Sequence, residues 1–146
     1  MKVADAMSRN VCLASPDETI GHVAKKMAEL DIGFMPVGEM DRLVGSITDR
    51  DIAVRAVAQG KTCDARVREV MTQDIKYCFD DEEMDHVLSN MGEIQVRRLP
   101  VVNRDKQLVG VVALADAARA HDCERVGTAL ERVVQPGGRH SQSETH

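Results

Sequence analysis

The sequence lacks long apolar runs. Nothing in its 146 residues approaches the roughly 18 consecutive apolar residues of a membrane span. The amino terminus reaches the acidic residue Asp5 before the apolar core of a signal peptide could develop. These absences predict a cytoplasmic protein with no membrane partner.

Aromatic side chains and basic patches are also scarce. Aromatic residues make up 2% of the chain, and Lys and Arg are scattered among acids at a formal net charge of -5. A nucleic-acid binder usually carries a basic stripe that neutralises phosphates, and aromatic rings on which bases stack. The composition therefore predicts no nucleic-acid partner, whereas 43% hydrophobic and 29% charged residues are typical of a globular protein.

The cysteines form no recognisable metal or redox motif. Cys12, Cys63, Cys78 and Cys123 include no Cys-x-x-Cys pair, and none lies near a histidine at zinc-finger spacing. We interpret them as reduced thiols in a reducing compartment and predict no metal site. A redox or metal site assembled in three dimensions stays open as the alternative.

What the sequence does contain is an internal repeat. Residues 3–37 correspond to residues 67–101, 64 positions later, and the correspondence continues after a one-residue insertion. A unit of this size buries too little apolar surface to be stable alone, so the two copies are expected to share a core. The matched segments are Val3-Ala4-Asp5-Ala6-Met7-Ser8 with Val67-Arg68-Glu69-Val70-Met71-Thr72, Met35-Pro36-Val37 with Leu99-Pro100-Val101, and Leu43-Val44-Gly45 with Leu108-Val109-Gly110.

Each copy has the pattern of one strand, a helix, two strands and a second helix. In the first copy we predict strands at residues 11–14, 34–37 and 43–48, with a turn through 38–42 and a helix from Asp49. Periodicity gives the first helix an apolar face made of Ile20, Val23, Ala24, Met27 and Leu30. The second helix offers for packing Ile52, Val54, Ala56 and Val57.

The chain is expected to divide into five parts. Repeat 1 spans 1–58, a linker 59–66, repeat 2 67–120, a helical segment 121–134 and a disordered tail 135–146. The helical segment is predicted from Val126, Leu130, Val133 and Val134.

These motifs resemble a tandem pair of CBS repeats, also called a Bateman module. Besides the matched segments above, the likeness rests on Leu43-Val44-Gly45-Ser46-Ile47-Thr48-Asp49-Arg50-Asp51-Ile52. It extends from about residue 3 to residue 119, and with no attached domain the chain is similar to the free-standing bacterial kind. The resemblance implies an α/β fold of two β-α-β-β-α repeats, packed sheet to sheet with pseudo-two-fold symmetry.

The resemblance also implies a regulatory module and not an enzyme. Such modules bind adenosine-containing ligands between the repeats: AMP, ADP or ATP first, with NAD or S-adenosylmethionine as further candidates. We expect a homodimer that signals to an unidentified regulated protein by conformational change, and no required cofactor. The alternative is a structural or interaction protein with empty clefts, including a metal-stabilised dimer. An enzyme needs a nucleophile, a general base or a metal centre in a pocket, and we find no such set.

The main cleft is implied by the Gly-x-x-Thr-x-x-Asp pattern of Gly45, Thr48 and Asp51. An ionised Asp accepts hydrogen bonds from vicinal ribose hydroxyls, and a Thr at a helix start seats a phosphate. In the family arrangement Ile75 would flank the adenine, and two arginines would suit a polyphosphate. The alternatives are a plain N-cap at Thr48 and surface ion pairs for the arginines. The family arrangement adds these residues of the second repeat: Thr72, Asp74, Ile75, Lys76, Arg97 and Arg98.

The second cleft is predicted to be poorer. It keeps Asp116, but Ala113 stands where Thr48 stands in the first copy, and the two arginines are replaced by Gly33 and Phe34. The sequence therefore predicts one competent nucleotide site and one weak or empty site. The wall of the second cleft would be completed by Ser8, Asn10, Val11 and Cys12.

His22 and His86 occupy equivalent positions, about 200° round the helix from the first apolar residue. We expect them on the exposed surface or in a dimer interface, with a metal-bridged or pH-sensitive contact as the alternative. Among the methionines, Met27 and Met91 are expected in the core.

Overall fold

The computed structural model describes residues 1–119 and 123–135. They form a mixed α/β fold with a two-stranded and a three-stranded sheet, which confirms the predicted class. The predicted tail, apart from Gln135, lies outside the described residues. In chain order the elements are α1 (Val3–Ala6), α2 (Ile20–Leu30), β1 (Phe34–Glu39), β2 (Arg42–Thr48), α3 (Asp49–Asp51), a π-helical segment (Ile52–Ala56), a 3-10 turn (Val57–Gln59), α4 (Val67–Val70), β3 (Cys78–Phe79), α5 (Met84–Ile94), β4 (Arg98–Val102), β5 (Leu108–Ala113), α6 (Leu114–Arg119) and α7 (Cys123–Val133).

The elements separate into two compact units. The Thr48 unit comprises Val11–Ile75 and Lys106–Leu108, and the Asp116 unit comprises Met1–Asn10, Lys76–Asp105 and the described residues from Val109 to Gln135. Each unit has a hydrophobic core of its own. The units are divisions of the fold, whereas the repeats predicted at 1–58 and 67–120 are divisions of the sequence.

The leading segment of each repeat folds against the other repeat, which explains the difference. In the Asp116 unit the Val3 amide donates to the Glu82 carbonyl at 2.9 Å, and in the Thr48 unit the Val67 amide donates to the Glu18 carbonyl at 2.9 Å. Val3 and Val67 are both fully buried. The helices α1 and α4 are therefore exchanged between the repeats, and their apolar residues complete the two cores.

The helix α2 buries less of its predicted apolar face than expected. Ile20, Val23 and Met27 are buried, as predicted, but Ala24 is exposed and Leu30 is 55% exposed. The predicted face was therefore too wide: Ala24 and Leu30 lie on its two edges, about 120° apart round the helix, and both edges are exposed in the Thr48 unit.

The helix α7, predicted within 121–134, covers the side of α5 that corresponds to the Ala24 side of α2. Gly92 stands where α2 has the exposed Ala28, and Gly92 is buried. A Cβ at Gly92 would lie 2.9 Å from Arg132 Cδ and 3.4 Å from Ala129 Cα, so glycine lets the helices approach closely. Leu130, one of the residues from which the helix was predicted, lies within α7 and is 42% exposed. Over the described ranges, no helix has both the length and the apolar character needed to cross a membrane.

The strands are shorter or differently bounded than predicted. The strand expected at 11–14 is reduced to one parallel bridge between Ala14 and Val37. The strands β1 and β2 form an antiparallel hairpin, as expected. Its turn is narrower than 38–42, because Met40 and Asp41 adopt φ values of 53° and 64° and close a two-residue turn.

The helix predicted from Asp49 is broken into α3, the π-helical segment and the 3-10 turn. The π geometry arises where the Val57 amide is shared between the carbonyls of Ala53 and Ile52. Ala56 is buried as predicted, but Val54 and Val57 are exposed, which corrects the expectation that both pack. The equivalent α6 of the Asp116 unit is α-helical throughout.

Candidate functional site

Gly45 lets the leading segment of the second repeat lie against β2. A Cβ at Gly45 would lie 2.8 Å from the Thr72 carbonyl oxygen and 2.9 Å from Met71 Sδ, so a larger residue would push this segment away. Ser46 and Thr72 exchange backbone hydrogen bonds of 3.0 and 2.8 Å. Gly45 therefore has a packing role that fixes Thr72 beside the end of β2.

The same arrangement recurs in the Asp116 unit. A Cβ at Gly110 would lie 2.7 Å from the Ser8 carbonyl oxygen and 2.8 Å from Met7 Sδ. Ser8 and Val111 exchange backbone hydrogen bonds of 2.8 and 3.0 Å. Both copies thus use a methionine, a glycine and an antiparallel bridge to hold the leading segment.

Thr48 and Asp51 form a reciprocal N-cap at the start of α3. Thr48 Oγ1 accepts from the Asp51 amide at 3.0 Å, and Asp51 Oδ2 accepts from the Thr48 amide at 3.0 Å. The cap leaves the Thr48 hydroxyl hydrogen available to a ligand. Asp51 Oδ1 has, in the described part of the chain, no partner nearer than Arg55 Nε at 3.8 Å, too far for a hydrogen bond.

Asp116 makes only one of the two hydrogen bonds of this cap, and its second carboxylate oxygen contacts an arginine. Its Oδ2 accepts from the Ala113 amide at 2.7 Å, but Ala113 has no hydroxyl with which to reciprocate. Its Oδ1 is in direct contact with Arg119 Nη2. The Asp116 side chain is 8% exposed, against 14% for Asp51. Both carboxylate oxygens of Asp116 are therefore engaged.

Arg55 belongs to this site and was missed from the sequence. Its Nη1 donates to the Met71 carbonyl at 3.2 Å and to the Val70 carbonyl at 3.5 Å, while Nε faces Asp51. The signal was its position four residues after Asp51, a spacing that puts both side chains on one helix face.

Two residues expected beside Thr72 in the main cleft also belong to the Thr48 unit. Asp74 is exposed, and Ile75 is half-buried with its amide donating to the Gln73 carbonyl at 3.0 Å. The structure thus brings Gly45, Thr48, Asp51 and Thr72 to the same end of β2, and continues the chain from there to Ile75.

The three cations predicted for the main cleft belong to the Asp116 unit. Lys76, Arg97 and Arg98 are all exposed. Arg98 begins β4, and the Arg97 carbonyl accepts from the Leu114 amide at 3.1 Å. Their contribution to a nucleotide site stays a prediction.

The residues predicted for the second cleft are likewise divided between the units. Ser8, Asn10 and Asp116 belong to the Asp116 unit, where the side chains of Ser8 and Asn10 are exposed. Val11 and Cys12 belong to the Thr48 unit and are half-buried.

The equivalent histidines lie on the helix surface, as their periodicity predicted. His22 Nδ1 is 2.5 Å from Glu18 Oε2, and His86 Nδ1 is 3.4 Å from Glu82 Oε1. Burial alone would raise the pKa of Glu18, but the hydrogen bond from Lys26 helps to outweigh it and holds that pKa below its usual value. Within 1–119 and 123–135, no group of three or more His, Cys, Asp or Glu side chains is placed to hold a metal ion.

The cysteines whose side chains are described are free thiols: Cys12, Cys63 and Cys78. Burial raises the pKa of the Cys78 thiol to about 12. Since the thiolate is the reactive form, Cys78 is a structural residue and a poor nucleophile.

The repeated sequence that carries this packing and these caps matches a known family. The CBS domain family matches residues 3–57 and 67–122. This chain belongs to the CBS domain family. The resemblance inferred from the repeated motifs is therefore confirmed.

Several proteins similar to this CBS chain cover nearly its whole length. The CBS domain-containing protein YhcV of Bacillus subtilis is 37% identical over 132 residues, which cover 90% of this chain and 94% of that one. The crystal structure of Hypoxic Response Protein I with two coordinated zinc ions is 37% identical, covers 82% of this chain and 98% of that one, and has a TM-score of 0.74.

The CBS domain pair of protein MJ0100 is a further structural neighbour. It is 31% identical, covers 82% of this chain and 94% of that one, and has a TM-score of 0.72. That structure is a complex with methylthioadenosine and S-adenosylmethionine, so a similar domain pair binds adenosine-containing molecules.

Proposed function

We propose that this CBS protein is a non-catalytic sensor of an adenosine-containing ligand, and that Asp51 is the carboxylate that binds the ribose. AMP, ADP and ATP are the first candidates, followed by NAD and S-adenosylmethionine. Family membership and the complex of the MJ0100 domain pair support this ligand class.

The observation that carries the proposal is the contrast between two equivalent carboxylates. Asp51 uses Oδ2 in its cap and keeps Oδ1 outside hydrogen-bond distance of its arginine, whereas Asp116 has both oxygens engaged. A carboxylate oxygen with no donor within hydrogen-bond distance is available to the vicinal hydroxyls of a ribose, and such charge-assisted hydrogen bonds are strong. The Thr48 unit is therefore the one equipped to bind.

Neighbouring groups supply the other contacts in this proposal. The Thr48 hydroxyl donates its free hydrogen to a phosphate oxygen, and half-buried Ile75 offers apolar surface to the adenine. Backbone groups near Asp74 and Lys76 read the edge of the base. We assign Arg97 and Arg98 to the outer phosphates, because guanidinium groups bind phosphate bidentately.

The ligand would act by favouring one conformation of the chain over another. We propose that the chain works as a cytoplasmic homodimer, needs no cofactor, and passes the change to a regulated protein. Neither a nucleic acid nor a membrane is part of this scheme.

A thermal-shift panel with AMP, ADP, ATP, NAD and S-adenosylmethionine tests the proposal. A ligand that binds only the folded state raises the melting temperature, and the shift grows with the logarithm of the ligand concentration divided by its Kd. We expect a shift with at least one of the five. The shift should disappear in Asp51→Ala and persist in the matched control Asp116→Ala.

The competing function is that of an interaction or structural protein with empty clefts. The reciprocal cap is one observation in favour of this alternative, since Thr48 and Asp51 satisfy each other's backbone amides without a ligand. The zinc ions in Hypoxic Response Protein I make metal-linked stabilisation of a dimer its natural extension. No shift with any of the five ligands would decide for this alternative.

A further inference from the structure

Arg55 closes a ring of contacts within the Thr48 unit. Its guanidinium lies between Asp51 and the carbonyls of Val70 and Met71. Met71 is followed by Thr72, which is hydrogen-bonded to Ser46 of β2. The strand β2 ends at the cap of Thr48 and Asp51, where the ring returns to its start.

The ring joins the two sides of the proposed nucleotide site. Asp51 would bind the ribose, whereas the chain that leaves Thr72 leads within three residues to Ile75, the residue proposed to flank the adenine. A residue that touches both the carboxylate and this segment can hold ribose and base contacts at a fixed separation. Only a side chain with several donors on a planar group can serve both at once.

The geometry of the Asp116 unit shows that the ring is not an unavoidable result of the duplication. There the arginine lies three residues after the aspartate instead of four, and it contacts Asp116 Oδ1 directly. In the Thr48 unit the π-helical segment contains Arg55, and the ion pair with Asp51 is long. In the Thr48 unit the arginine orients the carboxylate but leaves Asp51 Oδ1 without a hydrogen bond. In the Asp116 unit the arginine covers Asp116 Oδ1.

We propose that Arg55 is a positioning residue for the nucleotide: acting through Asp51 and the Met71 carbonyl, it aligns the ribose-binding carboxylate with the adenine-binding segment. This inference rests on the proposed function. It adds a residue outside the Gly-x-x-Thr-x-x-Asp pattern and assigns the selectivity for an intact ribose to the pair of Asp51 and Arg55.

The test compares the affinities of ATP and 2′,3′-dideoxy-ATP, measured by isothermal titration for the wild-type protein and Arg55→Ala. The wild-type protein should prefer ATP, because only ATP presents both hydroxyls to Asp51. Arg55→Ala should weaken ATP binding about tenfold, the effect of losing one charge-assisted interaction, and should weaken dideoxy-ATP binding much less. A purely structural role would weaken both ligands by the same factor and leave the preference unchanged.

Two variants make the test specific. Arg119→Ala removes the arginine that contacts Asp116 and should leave the affinity of the Thr48 unit for both ligands unchanged. Arg55→Lys keeps a charge but cannot span both partners, so it should recover only part of the preference. Equal losses for both ligands in Arg55→Ala, or no loss at all, would overturn the role of Arg55 alone. Absence of ATP binding by the wild-type protein would instead count against the proposed function, and the role of Arg55 would fall with it.

Discussion

The Thr48 unit and the Asp116 unit are built from duplicate sequences but treat the same carboxylate differently. In both, a glycine admits the leading segment, the methionine of that segment packs against the glycine, and an aspartate caps the helix that follows. In the Thr48 unit the cap is reciprocal and one carboxylate oxygen stays open. In the Asp116 unit the hydroxyl is missing and an arginine covers that oxygen.

The difference separates two kinds of constraint on a duplicated chain. Contacts that hold each unit together recur at nearly the same distances, since a close approach of backbones cannot tolerate added atoms. Positions around the open carboxylate face no such limit and differ between the copies. We infer that packing is common to both halves, while ligand binding is confined to one.

The largest effect on stability should come from filling the close approaches. Gly45→Ala and Gly110→Ala each force a Cβ to within 3 Å of a carbonyl oxygen and a sulfur, so each should lower the free energy of unfolding by about 2 kcal/mol. Urea denaturation measures both. A large loss in one variant and none in the other would contradict the equivalence of the two packing arrangements.

A smaller effect is expected from converting the closed site into an open one. Ala113→Thr combined with Arg119→Ala restores the hydroxyl and uncovers Asp116 Oδ1, so the second site should gain about tenfold in nucleotide affinity. Equilibrium titration should then count more bound nucleotide per chain than in the wild-type protein. With Arg119→Ala alone as the control, an unchanged count in the correctly folded double variant would show that these two positions do not explain the difference.

The smallest effect concerns the helix faces. Gly92→Leu inserts a side chain into the contact between α5 and α7, whereas the matched Ala28→Leu adds one to an exposed face. The steric cost of Gly92→Leu is partly offset by a gain in helix propensity, so the net loss in free energy of unfolding should be about 1 kcal/mol. Ala28→Leu should change the free energy of unfolding by less than about 0.5 kcal/mol. Chemical denaturation measures both. Equal changes in the free energy of unfolding for the two variants would mean that the contact between α5 and α7 does not stabilise the Asp116 unit.

The repeat made much of this fold predictable. The sequence repeat alone matches Val3 with Val67 and Gly45 with Gly110, and in the structure these residues occupy equivalent positions. Periodicity located α2 but overestimated its apolar face, because it cannot tell which side of a helix a later segment will cover. Gly92 and α7 decided that point through contacts distant in sequence.

Within the site, the sequence identifies which residues lie there better than which hydrogen-bond partners they have. The motif identifies Thr48 and Asp51, and an N-cap at Thr48 is the alternative interpretation of the same residues. The engagement of Asp116 Oδ1 by Arg119 could not be foreseen, because an arginine three or four residues after an acid pairs with it in some helices and not in others. For the same reason Arg55 was overlooked, although its contacts to Val70 and Met71 depend on the exchanged leading segment.

The most direct test of the central claim is a calorimetric titration of ATP into the wild-type protein, Asp51→Ala and Asp116→Ala. If one open carboxylate makes the site, the wild-type protein binds one ATP per chain, Asp51→Ala loses about a hundredfold in affinity and Asp116→Ala retains it. Two equal sites in the wild-type protein, or a loss on replacing Asp116 that matches the loss on replacing Asp51, would contradict the account.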